Sequence, residues 1–148
     1  MRFLPAAALA LFVLSPFAAH AQDQGVCDAL NNIMPGANSG FGQLKGEKTD
    51  KNVYAATYNL PYAHECELRY DKDDKTMSYV CYYRVGDGRD AKAEMANYAT
   101  NVAACRPDMV RSGENDYIVV EGPQGKIQFS FNDSYPHEFG IYIEPAGS

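Results

Sequence analysis

The chain has 148 residues, with 13 Lys or Arg against 19 Asp or Glu and a formal net charge of −6. A chain of this length most readily folds as one compact domain. Nucleic acids and anionic membrane surfaces are bound through patches of Lys and Arg, and this acidic chain contains no basic run. We therefore predict no nucleic-acid partner.

The first 21 residues have the organisation of a secretory signal peptide. An apolar stretch follows a basic residue and runs to Phe17, and Ala19-His20-Ala21 supplies a small-x-small cleavage pattern. The stretch is shorter than the roughly 20 residues that a membrane anchor needs, so no membrane insertion is predicted. We expect a periplasmic or secreted protein whose residues 22–148 form a single α+β domain.

A short helix is the first element predicted after the cleavage site, over residues 26–34. Its apolar residues recur at helical spacing: Val26, Leu30 and Ile33. Asp23 is a candidate cap, and a Pro-Gly pair ends the helix. Two strands are predicted next, at residues 41–44 and 52–60, with the polar sequence GEKTDK as the turn between them.

Residues 65–84, ECELRYDKDDKTMSYVCYYR, contain the clearest strand pattern in the chain. Apolar and polar residues alternate on both sides of an acidic segment, which is typical of half-buried antiparallel strands. A turn centred between Asp73 and Asp74 places all the apolar residues on one face. The acidic segment does not fit a calcium loop, because Lys75 and Thr76 stand where an oxygen ligand and a glycine are required. We expect a solvated hairpin tip and no metal site.

Four cysteines follow the cleavage site: Cys27, Cys66, Cys81 and Cys105. An even number in an exported chain of this size predicts two disulfides. In the hairpin register Cys66 lies opposite Cys81, and opposed antiparallel residues are about 5 Å apart, within disulfide reach. We predict the pairs Cys66–Cys81 and Cys27–Cys105. The longer loop of the second pair predicts a stabilisation of about 4 kcal/mol, against about 3 for the hairpin pair.

A second helix is predicted from Ala91 to Cys105, with Asp87 or Asp90 as its cap. Three more strands follow, at residues 116–121, 126–131 and 139–143. Together the elements predict an α+β fold, in which an antiparallel sheet of about 6–7 strands carries two helices packed on one face.

Catalytic chemistry has little support in the sequence. Only His64 and His137 follow the cleavage site, and disulfide pairing would remove all four thiols. Residues 133–138 hold a Ser, a His and acids, but neighbours in one loop do not converge as a triad, and no G-x-S-x-G motif is present. We predict no catalytic residue, no cofactor and no metal.

Tyrosine is the unusual feature of the composition, with 11 Tyr and no Trp. Some tyrosines fall on the outward, charged faces of predicted strands, where a Tyr ring offers large contact area at low entropy cost. We predict a partner-binding face from these outward residues: Glu65, Glu67, Arg69, Tyr82, Arg84 and Tyr142. Ordinary cross-strand packing on an exposed sheet face remains an alternative.

The leading functional hypothesis is a small exported, non-enzymatic binding protein, such as a periplasmic inhibitor or immunity protein acting on a protein partner. One alternative is a small secreted hydrolase that uses His64 or His137. Another is a carrier that holds a small molecule or a metal between the sheet and the helices. The sequence carries no signal for the oligomeric state.

Overall fold

The computed structural model describes residues 24–148, so the predicted signal peptide and the candidate cap Asp23 lie outside the described residues. The described part contains two α-helices, α1 (Gln24–Ile33) and α2 (Ala91–Cys105). Its strands are β1 (Lys45–Asp50), β2 (Val53–Ala56), β3 (Glu65–Tyr70), β4 (Met77–Arg84), β5 (Val110–Glu114), β6 (Tyr117–Gly122), β7 (Gly125–Phe131) and β8 (Glu138–Glu144).

All the described strands belong to one antiparallel sheet in the order β1-β2-β3-β4-β8-β7-β6-β5. Two four-stranded meanders, β1 to β4 and β5 to β8, are joined where β4 pairs with β8. The predicted α+β fold with an antiparallel sheet is confirmed. The predicted count of 6–7 strands is wrong, because the sheet has eight.

The prediction differs from the structure at β1 and β5. Of the sequence GEKTDK, predicted as a turn, all but the final Lys51 lies within β1, and residues 41–44, predicted as a strand, contain a 3₁₀ turn instead. No strand was predicted at β5. Nearly every residue of β1 and every residue of β5 is exposed, so neither strand shows the alternation that burial of one face imposes.

The β3–β4 hairpin has the predicted register, with Cys66 opposite Cys81. Both predicted disulfides are confirmed, with Cα–Cα distances of 4.1 Å for Cys66–Cys81 and 5.1 Å for Cys27–Cys105. The Asp71 carboxylate accepts the backbone N–H of Asp73 at 2.7 Å and so closes the hairpin tip. Asx turns of this kind explain why an acidic residue suits this position.

Helix α2 has the predicted bounds, and Asp90 rather than Asp87 caps it. The Asp90 carboxylate accepts the backbone N–H groups of Lys92 and Ala93 at 2.9 and 3.2 Å, which satisfies two of the free donors at the helix start. Helix α1 begins two residues before the predicted start, and a 3₁₀ segment, Met34–Ser39, follows it.

The hydrophobic core lies between the helices and one face of the sheet. Its fully buried members include Leu30, Ile33, Met95, Leu68, Tyr79, Ile118, Ile127, Phe129 and Ile141. Helix α2 contacts β5 to β8, and α1 packs on α2. The opposite face of the sheet, which we call the outer face, is formed by the residues that alternate with these inward residues along each strand.

Tyr79 anchors the loop between β2 and β3 from inside the core. Its side chain is fully buried, and its hydroxyl donates to the Tyr58 carbonyl at 2.8 Å. The same hydroxyl accepts the Leu60 N–H at 3.2 Å. One buried hydroxyl therefore satisfies two backbone groups of residues 57–64.

Tyr83 and Tyr98 hold the next part of the same loop. The Tyr83 hydroxyl donates to the Pro61 carbonyl at 3.1 Å and lies 2.9 Å from the Tyr98 hydroxyl. Together with Tyr79 these residues form what we call the tyrosine clamp. The clamp fixes a loop that has no regular secondary structure of its own.

Tyr79→Phe is expected to lower the free energy of unfolding by about 1–3 kcal/mol, because it leaves the buried Leu60 N–H and the Tyr58 carbonyl without their partner. Urea denaturation followed by circular dichroism measures the loss. Tyr135→Phe is the matched control, since the Tyr135 side chain is 61% exposed. Equal stabilities of Tyr79→Phe and the control would contradict the role of the clamp.

Candidate functional site

The outer face brings the predicted partner-binding residues together on three adjacent strands. They are Glu65, Glu67 and Arg69 of β3, Tyr82 and Arg84 of β4, and Tyr142 of β8. Glu65 lies opposite Tyr82, and Val80 pairs with Glu67 on one side and with Tyr142 on the other. Their common location is observed, and their role in binding stays a prediction.

A small apolar patch lies at the centre of this group. Val80 is only 1% exposed, although it is not part of the hydrophobic core. Tyr142 packs against Gly140, where an added Cβ atom would lie 2.8 Å from the Tyr142 ring. Glycine at this position therefore lets the ring lie flat on the sheet, and Tyr142 is half-buried as a result.

The Glu67 carboxylate joins two of the predicted residues. Arg69 Nε lies 2.5 Å from Glu67 Oε1, and the Tyr82 hydroxyl donates to the same oxygen at 3.3 Å. The Arg69 guanidinium carbon is 5.6 Å from the centre of the Tyr82 ring, within cation–π range. Burial raises the pKa of Tyr82 to about 12; the Arg69 charge opposes this rise and Glu67 reinforces it. The three side chains are thus held in place by one another.

The cations that point outward from β3, β4 and β7 are all paired with carboxylates. The pairs are Arg69–Glu67 at 2.5 Å, Arg84–Glu138 at 2.9 Å and Lys126–Glu144 at 3.1 Å. Within residues 24–148, the outward carboxylates that have no such pair include Glu65, Glu114 and Glu121. The unpaired charge of the outer face is therefore negative.

Tyr142 was the one outward residue of β8 predicted for this face, and its outward neighbours Glu138, Gly140 and Glu144 were not predicted. Gln128 donates to the Glu144 carboxylate and accepts from the Tyr117 hydroxyl, which extends the polar network to β6. The alternation of β8 was an available signal, because Glu138, Gly140, Tyr142 and Glu144 share one face. Nothing in the sequence predicts that β4 pairs with β8, because the two strands are about 60 residues apart in the chain.

The two histidines lie at the same end of β4. The His64 N–H donates to the Tyr82 carbonyl at 2.8 Å, and the His137 carbonyl accepts the Val85 N–H at 2.9 Å. His64 lines a depression of about 150 Å³ together with Glu65 and Glu138, and no Ser or Cys side chain lines it. His137 is not part of this lining. The hydrolase alternative thus has no assembled nucleophile and base at this site.

The next two features concern metal ions and membranes. Among residues 24–148, no group of three or more His, Cys, Asp or Glu is arranged to hold a metal ion. Across this described part of the chain, no helix is both long and apolar enough to cross a membrane.

The outer face must be interpreted from its own residues, without support from relatives. No protein-family model, no curated protein and no solved structure matches the chain.

Proposed function

We propose that the protein is a small exported, non-enzymatic binding protein whose outer face binds a basic protein partner, in the manner of an inhibitor or immunity protein. The observation that carries the proposal is the unpaired negative charge beside the tyrosines of this face. The outward cations of the central strands are neutralised within the chain, so Glu65 remains available to a cationic partner.

The arrangement of the face fits a protein better than a small molecule. Protein interfaces combine a desolvated centre, in which Tyr is enriched, with a polar rim. The half-buried Tyr82 and Tyr142 supply such a centre above the buried Val80, and the ion pairs around them supply the rim. The side chains around Glu67 already hold one another, so binding would immobilise few additional rotamers.

Charge complementarity also predicts the kinetics with which the partner associates and dissociates. Opposite charges on two surfaces accelerate association and suppress wrong partners, while rim charges add little to the final affinity. A basic partner should therefore bind more slowly as salt increases. The dissociation rate should depend mainly on the central tyrosines.

The test begins with capture of partners from the exported fraction of the source organism, using wild-type protein and two charge-reversal variants. Glu65→Lys is expected to weaken capture of a basic partner by about tenfold, because it reverses an unpaired rim charge. Asp73→Lys changes the net charge equally but lies at the exposed hairpin tip, at the far end of β3 from Glu65. This control should retain the partner.

Tyr82→Ala tests the centre of the same face. We expect it to increase the dissociation rate of the captured partner, and crosslinks from that partner should map to β3, β4 and β8. Absence of any specific partner would refute the proposal. So would a partner that tolerates both Glu65→Lys and Tyr82→Ala.

A further inference from the structure

A cleft of about 420 Å³ lies between α2 and the ends of β4 and β8. This volume falls within the range of about 300–1,000 Å³ that small-molecule sites occupy in proteins. The cleft is on the core side of the sheet, and only Arg84 is shared with the predicted partner-binding group. A ligand here would be independent of a partner on the outer face.

Aromatic rings form the inner wall of the cleft. The Tyr83 ring stacks on Phe139 with 4.8 Å between centroids, and Tyr98 meets Tyr83 edge-on at 5.0 Å. The hydroxyls of both tyrosines lie in the tyrosine clamp, so the rings cannot swing away without loss of hydrogen bonds. Tyr83 and Phe139 are each only 4% exposed, so they form a rigid base behind the cleft, and the half-buried Tyr98 supplies the exposed ring surface of this wall.

Helix α2 adds two neutral hydrogen-bonding groups. Asn97 and Asn101 line the cleft and are four residues apart, so they lie on the same side of the helix. Neither side-chain amide has a hydrogen-bond partner within the described residues. Each amide offers two N–H donors and a carbonyl acceptor. Both donors and acceptors are thus available on this side of the cleft.

The charged groups of the cleft are already paired. Arg89 lies 2.5 Å from Glu94, and Arg84 lies 2.9 Å from Glu138. A charged ligand would have to compete with one of these pairs. A neutral ligand can instead accept from the guanidinium groups and donate to the carboxylates.

Tyr62 stands on the rim of the cleft in an unusual conformation. Its backbone has a φ of 66°, in the left-handed region that bulky residues avoid, and its side chain is 78% exposed. Phe41 has a similar φ of 54°, but its ring is completely buried, which compensates for the strain. Tyr62 has no such burial. Strained residues of this kind concentrate at ligand sites.

From these features we propose that the cleft binds a neutral saccharide of one or two rings. The C–H face of a sugar ring packs on the Tyr62 ring and on the exposed part of the Tyr98 ring. Its hydroxyls, which both donate and accept, match the amides of Asn97 and Asn101 and the paired charges. The proposal does not rest on the proposed function.

The test is a titration of isotope-labelled protein, observed by amide NMR, with maltose, cellobiose and N,N′-diacetylchitobiose. At least one sugar is expected to shift the amides of residues 62, 83–85 and 97–101 and to bind with a Kd of about 1 mM or tighter. Tyr62→Gly should weaken this binding about tenfold, since glycine accepts the backbone conformation but lacks the ring. The double variant N97A/N101A should lose about as much.

Matched variants separate recognition from stability. Lys75 also has a left-handed φ, of 55°, so Lys75→Gly relieves similar strain far from the cleft. Thr100→Ala alters α2 outside the cleft lining. Both controls should bind as the wild type does. The proposal is overturned if none of the three sugars shifts the cleft residues, or if Tyr62→Gly and N97A/N101A bind normally. Tighter binding of glucuronate or glucosamine would overturn the neutral class of ligand.

Discussion

Replacing Cys27 and Cys105 together with Ala is expected to lower the free energy of unfolding by about 4 kcal/mol. The disulfide closes a loop with a sequence separation of 78 residues, which strongly restricts the unfolded chain. It also ties α1 to the end of α2, the helix on which α1 packs. Thermal and urea denaturation of the double variant measure the loss.

The double variant C66A/C81A is the internal comparison. Its loop has a sequence separation of only 15 residues, so the expected loss is about 3 kcal/mol. The β3–β4 register also has six paired positions that persist without the bond. A larger loss from the hairpin pair than from Cys27–Cys105 would contradict the chain-entropy explanation.

Stability is also expected to fall steeply as the pH rises above about 10, where an unperturbed tyrosine ionises. Burial raises the pKa of both Tyr79 and Tyr83, and the neighbouring Tyr98 adds to the rise at Tyr83. Above pH 10 the folded protein therefore keeps protons that the unfolded chain releases. Because the unfolded state then binds fewer protons, the free energy of unfolding decreases with pH. Well above pH 10, Tyr79 and Tyr83 alone give a slope of about 2.7 kcal/mol per pH unit. Tyr82, whose pKa burial raises to about 12, adds a smaller contribution because it is only half-buried.

Denaturant titrations at a series of pH values from 9 to 11.5, roughly spanning the unperturbed pKa, measure this slope. Tyr83→Phe should reduce the slope by about 1.4 kcal/mol per pH unit, because one buried hydroxyl with a raised pKa is gone. Tyr135→Phe should leave it unchanged, since Tyr135 is largely exposed. An identical slope in all three proteins would show that other groups cause the alkaline unfolding.

The parts of the fold that the sequence predicts well are those in which two constraints coincide. In the β3–β4 hairpin, the apolar alternation and the cysteine spacing independently require the same register. Helix α2 has both a cap at Asp90 and an apolar stripe. By contrast, β1 and β5 are the edges of the sheet and bury neither face, so they leave no periodic signal in the sequence.

The outer face was predictable as a list of residues but not as a surface. Alternation within each strand assigned Glu65, Tyr82 and Tyr142 to outward positions, and the structure agrees. The pairing of β4 with β8, which brings Tyr142 beside Val80, depends on a contact between distant segments. The cleft was harder still to predict from the sequence. A left-handed backbone conformation is expected at glycine, and nothing in the sequence indicates it at Tyr62.

The position of β8 in the sheet has a consequence for how the protein folds. This strand lies in the middle of the sheet, where it joins β4 of the first meander to β7 of the second. Until residues 138–144 have paired, β4 and β7 each have an edge whose backbone N–H and C=O groups are unpaired. Unpaired strand edges of this kind favour aggregation. The two meanders therefore become one sheet only when residues 138–144 have paired on both sides.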